Sequence, residues 1–334
     1  MRAGREMLTQ VAAFTSPREG FRGGAPARAS ARIIRRRMDW KSKRVEALLE
    51  HALMEDQALR DITTAYTIDP ALRATGTIVA KQGCVVSGLG SIPRILDIYS
   101  RLSRSAGHPE PVRYEVIHHP EIFDGVHVKA GQSLAVIRST AWVLLSCERL
   151  ILNLMQRMSG IATVTRRYVD QVQGTKAHIL DTRKTVPGLR LLDKYAVSCG
   201  GGENHRLDLS DSILIKNNHI ALGGGVPRVV AAALAGRKSG QRVQVEVRNG
   251  QELEQALDAG AEALLLDNMT PAQAAECVRM VRARGLTLPI EASGGINLEN
   301  VRQYAEAGVD YISCGALTHS APAIDLSMRI AAEA

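Results

Sequence analysis

The sequence predicts an α/β fold, a β/α barrel of parallel strands joined to a smaller N-terminal α/β domain. Beyond residue 176, short apolar runs (HILD, SILIK, VQVEV, ALLLDN, LPIEAS, YISCG) alternate with helical stretches (VPRVVAAALAGRK, QELEQALDAG, PAQAAECVRMVRARG, NLENVRQYAEAG). That alternation is the pattern of parallel strands linked by helical crossovers. Six readable strands with no G-x-G-x-x-G suit a barrel better than a doubly wound sheet. With 334 residues and 45% hydrophobic content the chain can bury a barrel and a second domain, and 4% aromatic content makes that core aliphatic.

Taken in order, residues 1–38 are rich in Arg, Gly, Ala and Ser without a sustained apolar period, and read as a disordered basic extension. A transit peptide, a nucleic-acid contact and a start codon set too far upstream would each explain it; Met38, just before the first patterned segment, favours the last. Residues 39–147 form the N-terminal domain. VEALLEHALMED has helical spacing, DITT opens a loop, GTIVAK and CVVSGLG are short strands, and SIPRILDIYSRLSRSAG is a helix ended by glycine. VRYEVIHH alternates as a half-buried strand, and DGVHVKAGQSLAVIRS reads strand–turn–strand. Residues 148–320 form the barrel domain, introduced by helical spacing from Leu150 to Ile161 that Ser159-Gly160 would end or kink. The last segment, 321–334, contains AIDLSMRIAA and is expected to be a helix packing back on the first domain.

Charge and cysteine usage narrow the function. The net charge of +8 is concentrated in residues 1–38, where nine arginines face only Glu6 and Glu19; the remainder sits near +1, an ordinary enzyme balance, so neither nucleic acid nor membrane is expected as a partner. No apolar run reaches the ~18–20 residues of a membrane span. Cys84, Cys147, Cys199, Cys277 and Cys314 show no C-x-x-C spacing, which points to free thiols in a reducing cytoplasm.

The chemistry lies at predicted strand ends, where a barrel gathers its site. Asp181-Thr182-Arg183-Lys184 follow HIL, His205-Arg206 follow the triple glycine 200–202, and Lys216 ends SILI. Glu246, Asp267, Glu291, Ser293-Gly294-Gly295 and Ser313-Cys314-Gly315 end the remaining runs. Solvated surface charge is the common fate of Lys and Arg, but cations gathered at successive strand ends argue for a pocket that takes a polyanion. Glycine-loop amides and guanidinium forks match carboxylate and phosphate oxygens, and carboxylates suit ribose hydroxyls or a developing positive charge.

DTRKT-PGLR, GGG-NHR and LIK-NHI, in this order and spacing, resemble the quinolinate phosphoribosyltransferases, with similarity running from about Val45 to Ile330. The resemblance implies an incomplete barrel of about six to seven parallel strands. It implies transfer of the phosphoribosyl group of phosphoribosyl pyrophosphate to quinolinate with decarboxylation, giving nicotinate mononucleotide, pyrophosphate and CO₂ for NAD biosynthesis. Arg149, Thr182, Arg183, Lys184, His205, Arg206, Lys216, Glu246, Asp267, Ser293, Gly294, Gly295, Ser313, Cys314 and Gly315 become the substrate-binding residues, with Lys184, Glu246 and Asp267 catalytic. Mg²⁺ is implied through the pyrophosphate, with Glu246 and Asp267 as outer contacts. A homodimer or higher oligomer is implied as well, with Arg149 reaching the partner's substrate. Departures from the family pattern are Asn217 where an acid is usual, RSTAW at 138–142, and EDQALRDITT in place of a more acidic, glycine-bearing run. Three alternatives compete: a paralogous transferase linked to molybdate transport, an aldolase using Lys216 as a Schiff base, and a nucleic-acid binder driven by residues 1–38.

Overall fold

Val45, Leu49 and Leu53 recur every four residues, and helix α1 (Lys43–Glu55) buries all three. The computed structural model describes residues 38–106 and 112–333; of the basic extension expected over 1–38, residues 1–37 lie outside those described, and Met38 packs partly buried against the core. A short 3₁₀ turn leads to α2 (Ile62–Thr67), where a loop was expected. Asp61 explains the difference, because its carboxylate accepts the Thr64 amide at 3.0 Å and caps the helix start.

Strands β1 (Arg73–Ala80) and β2 (Cys84–Val85) precede α3 (Ser91–Ser105), whose Ile92, Ile95, Leu96 and Tyr99 form one buried stripe. Next come β3 (Glu115–Ile117), β4 (His127–Val128) and β5 (Ser133–Thr140). Helix α4 (Ala141–Gln171) then runs unbroken for 31 residues, so the expected boundary at 147/148 falls inside a helix. Ser159-Gly160 does not end it. A Cβ at Gly160 would stand 2.0 Å from the Pro322 carbonyl oxygen, so the glycine is there for close packing of the 322–323 backbone.

The barrel follows: β6 (His178–Leu180), α5 (Arg190–Cys199), β7 (Ile213–Ile215), α6 (Asn217–Gly223), α7 (Val226–Gly236) and β8 (Val243–Val247). It continues through α8 (Gly250–Asp258), β9 (Ala263–Asp267), α9 (Pro271–Ala283), β10 (Ile290–Ser293), α10 (Val301–Glu306), β11 (Tyr311–Ser313) and α11 (Ala316–His319). These six parallel strands lie in the order β6-β11-β10-β9-β8-β7, leaving β6 and β7 as edges of an unclosed barrel. Beside β6 the chain makes a parallel bridge from Leu180 to Glu203, so residues after the triple glycine partly fill the gap.

The C-terminal segment corrects the expected helix. Residues Leu326–Ala332 are strand β12, antiparallel to β1, and complete the first domain's sheet in the order β12-β1-β5-β3. Leu326, Met328 and Ile330 carry a period of two that the alanines after them disguise. Helix α4 packs on this sheet and also on α5 and β6. Leu144, Ile151, Met155 and Met158 are fully buried along it, so one helix serves both cores.

Candidate active site

β6 delivers Asp181 to the barrel's C-terminal end, and the structure buries it completely. Its carboxylate pairs with Lys194 of α5 and accepts from Asn204 Nδ2 at 2.7 Å and the His205 amide at 2.8 Å. Lys194 Nζ also donates to the His205 carbonyl at 2.9 Å. Burial pushes the Asp181 carboxyl up and the Lys194 ammonium down, and their mutual attraction opposes both shifts. Lys194 is therefore spent inside the protein, tying the NHR segment to the end of β6. The triple glycine lets that segment run against α4: a Cβ on Gly202 would lie 2.7 Å from Thr165 Cγ2.

A second ion pair, with its carboxylate buried and its arginine partly exposed, shapes the TRKT turn. Arg157 of α4 grips Asp193 with two hydrogen bonds of 2.9 and 2.8 Å, and Asp193 accepts the Val186 amide at 3.2 Å. Arg190 joins the same turn to the neighbouring loop through Thr185 Oγ1 at 3.1 Å and the Leu207 carbonyl at 3.3 Å. Arg157, Asp193 and Asn204 were absent from the expected site; an arginine on the otherwise apolar face of a long helix was the signal for the first.

Arg183 Nε is buried without a hydrogen-bond partner among the described residues. Arg206 donates to the Ser212 carbonyl at 3.1 Å, and its pKa is lowered by burial and then by the nearby Arg183 charge. Two guanidinium groups thus share one corner, where Asp211 and Glu291 offset burial and the Arg183 charge only in part. Lys216 lies 3.8 Å from Glu246, whose other oxygen accepts the Asn217 amide at 3.4 Å. The Asn217 side-chain oxygen is buried and unpaired among the described residues, which is where the missing acid of the LIK-NHI segment is felt.

His205 differs from the expectation of a substrate-facing cation. Its Nδ1 accepts the Arg206 amide at 2.7 Å, and its Nε2 faces Glu291 at 3.2 Å. Burial would depress the imidazole, but the Glu291 carboxylate outweighs it and holds the pKa above its ordinary value. Burial alone would raise Glu291; His205, Ser313 and Gln244 together hold it below the usual carboxylate range. Ser313 Oγ donates to Glu291, and Cys314 is buried with its thiol pushed up to about 12 by burial, so neither side chain is open at the mouth. Gly315 is where Lys184 crosses: a Cβ there would stand 3.0 Å from Lys184 Cδ and 3.1 Å from His319 Nε2. The Lys184 amide donates to Thr182 Oγ1 at 3.0 Å.

Asp267 ends β9 next to Glu246 on β8, and accepts from Asn268 Nδ2 at 3.0 Å. Asn268 holds φ at 53°, and its side chain fills the space where a Gly294 Cβ would stand. Gly294 itself has φ 95°, so the Ser293-Gly294-Gly295 turn depends on glycine twice over. These carboxylates are hard oxygen donors on adjacent strands and fit outer contacts to a magnesium ion held by a diphosphate. Arg149 is exposed on α4, with no hydrogen-bond or ion-pair partner among the described residues, and is not brought to this mouth by its own chain's contacts. Leu209, in the loop before β7, and Leu222, on α6 after β7, are 71% and 91% exposed.

Comparison with known proteins adds an independent line. The sequence model for "Quinolinate phosphoribosyl transferase, C-terminal domain" matches residues 161–329 and that for the N-terminal domain matches residues 61–159, so the two meet within α4. The nicotinate-nucleotide pyrophosphorylase [carboxylating] of Mycobacterium leprae is 41% identical over 84% of this chain and 95% of that protein. A probable nicotinate-nucleotide pyrophosphorylase [carboxylating] of Bacillus subtilis is 36% identical over 86% and 93%. Among solved structures, NadC from Streptococcus pyogenes aligns with a TM-score of 0.76 at 33% identity, covering 86% of this chain and 97% of that one. With both halves matched by one family and the fold shared with its solved members, the chain belongs to the quinolinate phosphoribosyl transferase family.

Proposed function

We propose that this chain transfers the phosphoribosyl group of phosphoribosyl pyrophosphate to quinolinate and releases pyrophosphate and CO₂, leaving nicotinate mononucleotide. The observation that carries this reading is the corner made by Arg183, whose Nε has no hydrogen-bond partner among the described residues, and Arg206, whose charge is disfavoured by burial and by Arg183. Adjacent guanidinium groups of this kind suit a dianion with neighbouring carboxylates, which both forks can engage. Lys216 stands ready to leave Glu246 for the same anion, since 3.8 Å is a loose pairing. Lys184, the Thr182 turn, the Ser293–Gly295 loop and the Gly315 backbone suit the 5′-phosphate. Ser313, Cys314 and His205 support that geometry from behind, their side chains being engaged in the protein.

The pyridine nitrogen attacks ribose C1, and no proton has to be removed from it, so a general base is not required. Held in line, the two reactants gain most of their acceleration from positioning, for which ~7–11 kcal/mol is available in favourable cases. Glu246 and Asp267 bind ribose hydroxyls and stabilise the positive charge that grows on the sugar. Mg²⁺ carried by the diphosphate would offset the negative charge of the leaving group, with Glu246 and Asp267 as outer contacts. Once the ring nitrogen is quaternary it accepts the electron pair of the breaking C2–carboxylate bond; C2 then takes a proton from water.

The proposal includes a homodimer in which Arg149 completes the partner's pocket. Its exposed guanidinium, unpaired among the described residues, and the exposed Leu209 and Leu222 support that part. A reducing cytoplasm suits the five unpaired cysteines, and no single helix among the described residues is long and apolar enough to cross a membrane. The test is a CO₂-release and absorbance assay with quinolinate, phosphoribosyl pyrophosphate and Mg²⁺, using chain begun at Met38. Turnover is expected; a folded chain that releases no CO₂ sinks the reading.

A further inference from the structure

Glu291 is a buried carboxylate that the proposed chemistry does not use, and three parts of the barrel converge on it. Its side chain is 4% exposed. His205, from the segment beside β6, meets it at 3.2 Å; Gln244 of β8 donates to it at 2.7 Å; and Ser313 of β11 donates to its other oxygen. No Arg or Lys hydrogen-bonds or ion-pairs with it among the described residues, so the imidazole Nε2–H is the ring donor that meets it. His205 in turn accepts the Arg206 amide on Nδ1, which fixes the main chain from which that guanidinium departs.

From this chain of contacts we infer that Glu291 is a positioning residue for the substrate's carboxylates: it orients His205, and His205 sets the backbone that aims Arg206. The inference rests on the proposed function and names a working part of the same pocket. Gln244 is a neutral donor to the same Glu291 oxygen that His205 Nε2 meets, so the carboxylate is stabilised by hydrogen bonds, with the Nε2–H of His205 as its ring donor while Nδ1 accepts. An apolar environment strengthens such a pair and makes each member costly to leave alone. Around the imidazole the other charged groups are Asp181 and Lys194, which pair with each other; around Arg206 they are Arg183, Asp211 and, more weakly, Glu291 itself.

The sign of the pH effect follows. Glu291 holds the His205 pKa up, so removing its charge with Glu291→Gln lowers that pKa. The test joins two readouts. In steady-state kinetics Glu291→Gln is expected to raise KM for quinolinate about tenfold or more, the cost of one misaimed charged hydrogen bond, with KM for phosphoribosyl pyrophosphate changed less than about twofold. In the substrate-free protein, the His205 imidazole, assigned by its loss in His205→Asn, titrates at lower pH in Glu291→Gln and near its original pH in Glu291→Asp. Equal rises in both KM values, or an unmoved imidazole titration, overturn the inference. Where Glu291→Gln does not fold, Ser313→Ala removes one donor without changing charge and should raise KM for quinolinate alone, by a few-fold; an unchanged KM overturns the inference equally. The titration needs no turnover, so it decides this point even if the unaltered chain proves inactive on quinolinate, a result that would strike the proposed function instead.

Discussion

Replacing Lys194 with methionine removes one member of the buried pair that fastens the NHR segment to β6. Asp181 is then left with the Asn204 and His205 donors but no opposite charge, in a site with no solvent exposure. Breaking a buried pair in this way costs about 3–5 kcal/mol, a large share of the ~5–15 kcal/mol that stabilises a typical fold. The carboxyl can escape part of that cost by taking a proton. From its ordinary value of 3.8, protonation costs roughly 4 kcal/mol at pH 7 but roughly 1.5 kcal/mol at pH 5. The direction is fixed by linkage. In the variant Asp181 is raised above its unfolded value, so the folded state holds the extra proton and stability falls as pH rises through that window. Urea unfolding of the variant and the unaltered chain at pH 8 and pH 5 should therefore give a deficit of about 3–5 kcal/mol at the higher pH that shrinks to about 2 kcal/mol at the lower. A deficit below about 1 kcal/mol at pH 8, or one that does not shrink on acidification, would refute the buried ion pair as the fastening.

Further outcomes follow from the same geometry. Arg183→Ala and Arg206→Ala should each raise KM for quinolinate by about 10- to 100-fold, the worth of a charged hydrogen bond; unchanged kinetics would take that residue out of the pocket. Glu246→Gln should lower kcat by about a hundredfold with little change in substrate binding, and a selective loss of quinolinate affinity would contradict its placement at the sugar. Mixing Arg149→Ala and Arg183→Ala chains should restore activity in hybrid dimers, since each dimer can then hold one intact pocket; no recovery would mean that Arg149 acts within its own chain.

The barrel was legible because its strands and crossovers differ in hydrophobic period, and the charged strand ends stood out against apolar runs. The errors came where a local signal was outweighed from elsewhere. Ser159-Gly160 looks like a break until the 322–323 backbone, over 160 positions away, is seen to occupy the space beside it. Leu326, Met328 and Ile330 alternate, but three residues sit too lightly against Ala331 and Ala332 to announce a strand without its partner β1 in view. Within the site, charge type was readable and pairing was not. Lys194 and Arg183 look alike in sequence as cations of one motif; one is consumed by Asp181, and the other keeps a buried, unpartnered nitrogen. Only three-dimensional placement separates a cation that holds the protein from one free to hold a substrate.

Strand β12 has a consequence for the order in which the molecule is made. Ala80 pairs with Leu326 and Ala74 with Ala332, so β1 leaves the ribosome long before its neighbour is synthesised. All six barrel strands emerge in the interval, and the first domain must wait with one sheet edge uncovered until the last residues arrive. Such a long-range closure is slow in refolding from denaturant and leaves an exposed edge for chaperones to shield. A released chain truncated before residue 326 would carry all six barrel strands and an unfinished first domain.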